Sequence, residues 1–125
     1  MRQGLRYVAA AILLAAMSLG AAAHHTASMF DSQRSITLQG EVREFRFTNP
    51  HCWIQLLVTS GGSTTEWSIE MGAPQGLYRS GWRPGTLKPG QQIKVTVHPE
   101  RAGAPVAQFR SAVRADGQPV VAGKP

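Results

Sequence analysis

The chain has 125 residues, and 13 Lys and Arg stand against 7 Asp and Glu for a formal charge of +6. That length supports one modest core and leaves no room for a second large domain. Frequent Gly and Pro, short alternating runs and no long helical periodicity favour an all-β chain over a helical one.

In chain order, residues 1–23 read as a signal peptide. Arg2 and Arg6 give the positive start, Val8 to Leu19 the apolar run, and Gly20-Ala21-Ala22-Ala23 the small residues of a cleavage site. The run is shorter than the roughly 20 apolar residues of a spanning helix. The expectation is therefore export to a bacterial periplasm or beyond, with no integral membrane segment. No Cys stands at the cleavage site, so no lipid anchor is expected. Loss of Arg2 and Arg6 leaves eleven basic against seven acidic residues, a net +4 that favours anionic partners or surfaces. Residues 24–35 form an N-terminal arm, with Met29-Phe30 as an apolar tack, and residues 36–125 the domain.

The first strand runs from Ile36 to Phe47. Ile36, Leu38, Gly40 and Val42 share one face, whereas Phe45 and Phe47 have the opposite parity. A parity switch predicts a bulge near Arg43-Glu44, and Gly40 permits a sharp bend. His51–Val58 and Thr64–Met71 are the second and third strands, joined by the hairpin signal Ser60-Gly61-Gly62-Ser63. With Gly61-Gly62 as the loop, Val58, Leu56, Ile54 and Cys52 face Thr65, Trp67, Ile69 and Met71 on the core side. Gln55 then faces Ser68 and Trp53 faces Glu70 on the outer side, with His51 diagonal to Glu70. A slip of one residue would expose the apolar set, so the pattern selects this register.

A short helix is predicted over Ala73–Trp82, with Pro74 at its start, Gly81 as its stop, and Leu77 and Tyr78 closing one barrel end. Gln92–His98 and Val106–Val113 are the fourth and fifth strands, and Val120-Val121 a short final one. Three strands, a helix and two strands is the order of a five-stranded OB-like Greek-key barrel.

Several segments together resemble a family of small exported bacterial proteins of unknown function. They are Ala23-His24-His25, Phe30-Asp31, Leu38-Gln39-Gly40, Thr48-Asn49-Pro50-His51, Trp67-Ser68-Ile69-Glu70, Gly81-Trp82 and Leu87-Lys88-Pro89-Gly90. The resemblance spans His24 to about Gly123. It implies an exported β-barrel and no established activity. The family often carries a plain apolar residue at position 52, so Cys52 resembles a local substitution.

Three groups of residues carry chemistry. Cys52 has no second Cys to pair with, and the register turns it inward, where a thiol behaves as a small apolar side chain. His51, Trp53 and Glu70 form an outer cluster on the strand face where OB-folds bind ligands. Trp53 there is either a stacking platform or a residue covered by Met29-Phe30. Cleavage after Ala23 leaves His24-His25 as the mature terminus, and cleavage after Ala22 leaves Ala23-His24-His25, where the amine, two amides and the His25 ring can wrap a square plane. A free α-amine, imidazoles and amide nitrogens make a tetragonal site of the kind copper(II) favours, with His51 as a further candidate metal ligand. If His24 is first, its amine and ring can chelate as in the histidine brace of copper monooxygenases. No nucleophile triad, phosphate loop or paired-carboxylate site appears, so an enzyme is not expected. The basic barrel would suit nucleic acid, but export and few outer aromatics argue against it. The expected partner is a small ligand or an anionic envelope component. The reading is an exported non-catalytic binding protein, with a copper-handling protein as the alternative and a copper enzyme as a third.

Overall fold

The Gly61-Gly62 turn fixes the central hairpin. Both glycines take positive φ, 58° and 82°, the left-handed pair whose twist suits a two-residue hairpin. In the computed structural model, which describes residues 29–122, the turn joins β2 (Trp53–Ser60) to β3 (Ser63–Glu70). Leu56 opposes Trp67, Ile54 opposes Ile69, Gln55 opposes Ser68 and Trp53 opposes Glu70, the register that the alternation predicts. The expected export segment and His24-His25 lie outside the described residues.

Around this hairpin stand β1 (Ile36–Arg46), α1 (Pro74–Arg79), β4 (Gln92–Pro99) and β5 (Val106–Arg114). The strands close into a barrel in the order β1-β2-β3-β5-β4. β3 and β5 run parallel and every other neighbouring pair antiparallel. This is the expected OB-like barrel with a short helix between the third and fourth strands.

Two bulges bend the wall. In β1, Val42 opposes Leu56 and Glu44 opposes Gln55, which leaves Arg43 unopposed. In β5, Ser111 opposes Thr96 and Phe109 opposes Val97, which leaves Arg110 unopposed. Each extra residue is an exposed arginine. Its expulsion resets the parity, so Phe45 and Ala112 continue inward beyond the kink. Gly40 supplies a second device in β1. A Cβ there would collide with the carbonyl oxygen of Leu57 and lie 2.9 Å from its carbonyl carbon.

The core is apolar from end to end. Val42, Cys52, Ile54, Leu56, Ile69, Val95, Val97 and Ala107 have no solvent exposure. Trp67 packs against this core while remaining partly exposed. At the barrel end by the helix, Leu77 packs against the core as expected, but the rest departs from expectation. Helix α1 stops at Arg79, and Tyr78 turns outward, 55% exposed, with the Arg83 guanidinium 3.6 Å above its ring. The plug is Trp82, buried against Phe45 and Phe109 at ring distances of 5.7 and 5.5 Å. Gly81, at φ 96°, makes that reversal. Val120-Val121 adds no strand. The chain instead turns at Gly117 and lays a buried Val120 over the barrel, held by its N–H donating to the Ala112 carbonyl.

Phe30, buried in the arm, forms a bridge with Glu100, and the Asp31 N–H donates to the Pro99 carbonyl. The apolar tack thus fastens the arm to the end of β4.

Two glycine substitutions should separate close approach from simple backbone freedom. Gly40→Ala should cost about 2–4 kcal/mol, because the obstructing atoms are backbone and cannot swing aside. Gly76→Ala, at a helical position with nothing within 4 Å, should gain about 0.5–1 kcal/mol. Urea midpoints at constant m-value measure both.

Candidate functional site on the outer face of the barrel

Among the described residues, the buried polar side chains are Gln55 and Glu70, at 4% and 6% exposure. Both belong to the outer side of the β2–β3 hairpin. Polar groups are held out of water only where partners satisfy them. The Ser68 hydroxyl donates to Gln55 Oε1 over 2.8 Å. Glu70 Oε1 lies 3.3 Å from His51 Nδ1, and the same nitrogen lies 3.0 Å from the Met71 carbonyl oxygen. A carbonyl can only accept, so this contact assigns the proton to Nδ1. In the neutral ring, Nε2 then carries the lone pair. The His51 side chain is 44% exposed.

The expected cluster of His51, Trp53 and Glu70 is therefore brought together, but as two neighbouring hollows. Arg46, Trp53, Gln55, Ser68 and Val106 line one. His51, Glu70, Met71, Gln108, Phe109 and Arg110 are among the residues that line the other. Trp53 is half-buried and directly opposes Glu70 on one side and Arg46 on the other. Local sequence pattern does not reveal the contributions of β5. Val106 and Gln108 reach the site only through the parallel pairing of Ser68–Glu70 with Val106–Gln108. No local pattern encodes that pairing. The polar match of Gln55 with Ser68 was the available sign that this face is more than solvated surface.

The remaining candidates divide. Cys52 is buried, and burial pushes its thiol above the ordinary value of 9.0, against a smaller opposing effect of the Thr48 backbone. That suits a packing residue and not a nucleophile. His24 and His25 lie outside the described residues. Among the described residues, no three His, Cys, Asp or Glu side chains gather as a metal site. No helix among them is long and apolar enough to cross a membrane.

The fold and the site define a small OB-like barrel with a polar, aromatic-bearing outer face. The chain belongs to a family of unknown function, DUF6152, whose sequence pattern matches residues 10–108. No curated protein matches it. The mitochondrial single-stranded DNA-binding protein Rim1 of S. cerevisiae shares its fold. One crystal form aligns at a TM-score of 0.50 and 9% identity, over 66% of this chain and 93% of that chain. A second form aligns at 0.49 and 10%, over 74% and 98%. These likenesses concern the fold. The first of them nevertheless corrects the expectation of a small ligand or anionic envelope component to the exclusion of nucleic acid, because this barrel occurs in a single-stranded DNA-binding protein. That exclusion rests on export and a low aromatic count, neither of which bears on what a barrel of this fold can carry.

The buried thiol gives a pH test. A raised folded-state value favours the neutral form, so its contribution is fully present below the ordinary value of 9.0 and is lost as pH rises beyond it. There the unfolded chain binds fewer protons than the folded one. The stability difference between wild type and Cys52→Ala should therefore shrink from pH 8 to pH 10. Denaturant midpoints of both proteins at each pH measure it.

Proposed function

We propose that the protein is an exported, non-catalytic binding protein whose ligand lies against Trp53 on the outer face of β1, β2, β3 and β5. The supporting observation is the hollow in which a half-buried Trp53 stands beside the hydrogen-bonded pair Gln55–Ser68. An aromatic face gives area at low entropic cost, and fixed polar groups give orientation. Export is supported by the charged start, apolar run and small-residue end of the first 23 residues. The fold neighbours bring one candidate ligand, single-stranded nucleic acid, which would stack a base on Trp53 and set phosphates near Arg46 or Arg110.

A second reading is copper handling at the mature terminus, and one observation beyond the paired His24-His25 favours it. The His51 contacts to Met71 and Glu70 leave Nε2 as the free lone pair, and metal-bound histidines are commonly oriented in this way. The arm is fastened at Phe30, five residues beyond His25.

The main test uses mature protein secreted with its own signal segment, whose intact mass should lack the first 22 or 23 residues. Titration with oligothymidine and with a β-1,4-linked tetrasaccharide should show saturable binding of at least one. Trp53→Ala should weaken that binding roughly tenfold or more. Binding of neither by folded protein overturns the proposed face. For copper(II), a competition titration should favour the native terminus over one extended by Met, because the extension removes the α-amine from His24 and His25. Equal affinity for the two forms discards that site.

A further inference from the structure

The registers of four strand pairs, followed across the barrel wall, align five outward side chains in one transverse row. Arg46 opposes Trp53, Trp53 opposes Glu70, Glu70 opposes Gln108 and Gln108 opposes His98. Each strand contributes one residue, in the order β1, β2, β3, β5 and β4. Their inward neighbours Phe45, Ile54, Ile69, Ala107 and Val97 are core residues, so the row faces out. Four inter-strand steps of about 4.8 Å make it roughly 19 Å long along the curved surface.

We propose that this row is the binding track for a neutral, linear oligosaccharide, crossing the strands with one sugar ring stacked on Trp53. The inference rests on the binding face proposed above and names its ligand class. A pyranose with equatorial substituents has an apolar face of C–H groups and a rim of hydroxyls that both donate and accept. The row supplies the complement. Trp53 offers a flat apolar surface. Glu70 accepts, Gln108 both donates and accepts, and Arg46 donates; His98, whose Nδ1 lies 2.7 Å from the Arg34 carbonyl oxygen and so carries the proton there, accepts through Nε2. The Gln55–Ser68 pair beside Trp53 adds further hydrogen-bonding groups.

Charge on the β1 side of the row argues for a neutral chain, and Arg110, in the hollow beside Glu70, is the cation that a phosphate would meet there. The cations of β1 on this face already meet carboxylates, Arg43 with Glu66 at 2.6 Å and Arg46 with Glu44 at 3.6 Å. Glu70 holds the centre of the row with His51 beside it. A run of phosphates would meet the Glu70 carboxyl midway, whereas hydroxyls can donate to it. Glu70 is only 6% exposed and its Oε1 lies 3.3 Å from His51 Nδ1, so its orientation is fixed and only its exposed edge meets a ligand hydroxyl.

The test is calorimetric titration of the mature secreted protein with chitotetraose, cellotetraose, the corresponding monosaccharides and oligothymidine. The expected result is saturable binding of at least one tetrasaccharide, at least tenfold tighter than its monosaccharide. Trp53→Ala should abolish measurable binding. Gln108→Ala, two strands away, should weaken the tetrasaccharide by about three- to tenfold, the scale of one lost hydrogen bond, and leave the monosaccharide unchanged. Circular dichroism of each variant confirms that it is folded, and Thr64→Ala, outside the row, should bind as wild type. Failure of both tetrasaccharides at millimolar concentration overturns the inference. If oligothymidine alone binds, and does so through Trp53, the ligand is a nucleic acid and the proposed binding face still stands. Tetrasaccharide binding that is indifferent to Gln108 overturns the row and confines the site to the Trp53 hollow.

Discussion

The close approach of the Leu57 carbonyl to Gly40 is the constraint on which the barrel depends. β1 must pair with β2 along one half and with β4 along the other, so it has to bend sharply within eleven residues. Only a residue without a Cβ lets the neighbouring backbone come that near. The bulge at Arg43 follows three residues later and completes the bend. Together they decide which side chains are inside. With unbroken alternation from Val42, Phe45 would face solvent and Arg46 the core. The expulsion of Arg43 puts Phe45 against Trp82 and Arg46 against Trp53. The outer site is therefore a consequence of how the wall is made to curve.

β5 repeats the device. Arg110 is the extra residue there, and its removal from the ladder keeps Phe109 and Ala112 packed on the core. Arginine suits such a position because its long stem and always-charged head gain nothing inside and lose nothing outside. The basic surface thus has a structural contribution. Part of the excess charge marks the two points where the barrel bends, and Arg43 is tied back to Glu66 across β2. Net charge alone was for that reason a poor guide to partners, in either direction.

What could be read from the sequence follows the range of the interactions. The hairpin register was legible because Gly61-Gly62 and a period of two act within eighteen residues. The bulge was legible as a parity switch. Trp82 was not, because its inward turn depends on the positive φ of Gly81 after a helix that ends earlier than its apolar residues suggest. Tyr78 carried the stronger local signal and faces solvent. The β5 half of the site was also hidden, since Ser68 and Val106 are brought together by a parallel pairing across the helix and β4. Sequence proximity gave His51, Trp53 and Glu70. Only topology gave Gln108 and His98.

That same parallel pairing is the shortest seam of the barrel. It has three register pairs, from Ser68 opposite Val106 to Glu70 opposite Gln108, where the β2–β3 hairpin has eight. The row crosses the seam at Glu70 and Gln108. A chain bound along it would join β3 to β5 at the point where the closed sheet has fewest hydrogen bonds of its own. Such a ligand binds the folded state and not the unfolded one, so occupancy and stability are linked. The seam is also where local opening should be easiest, because short pairings protect fewer amides. Amide exchange at Val106–Gln108 should therefore slow when the row is filled, while exchange in the hairpin core around Ile54 and Ile69 should change little. Binding confined to the Trp53 hollow would leave the Gln108 amide as it was, which makes the seam a reporter of how far across the barrel a ligand reaches.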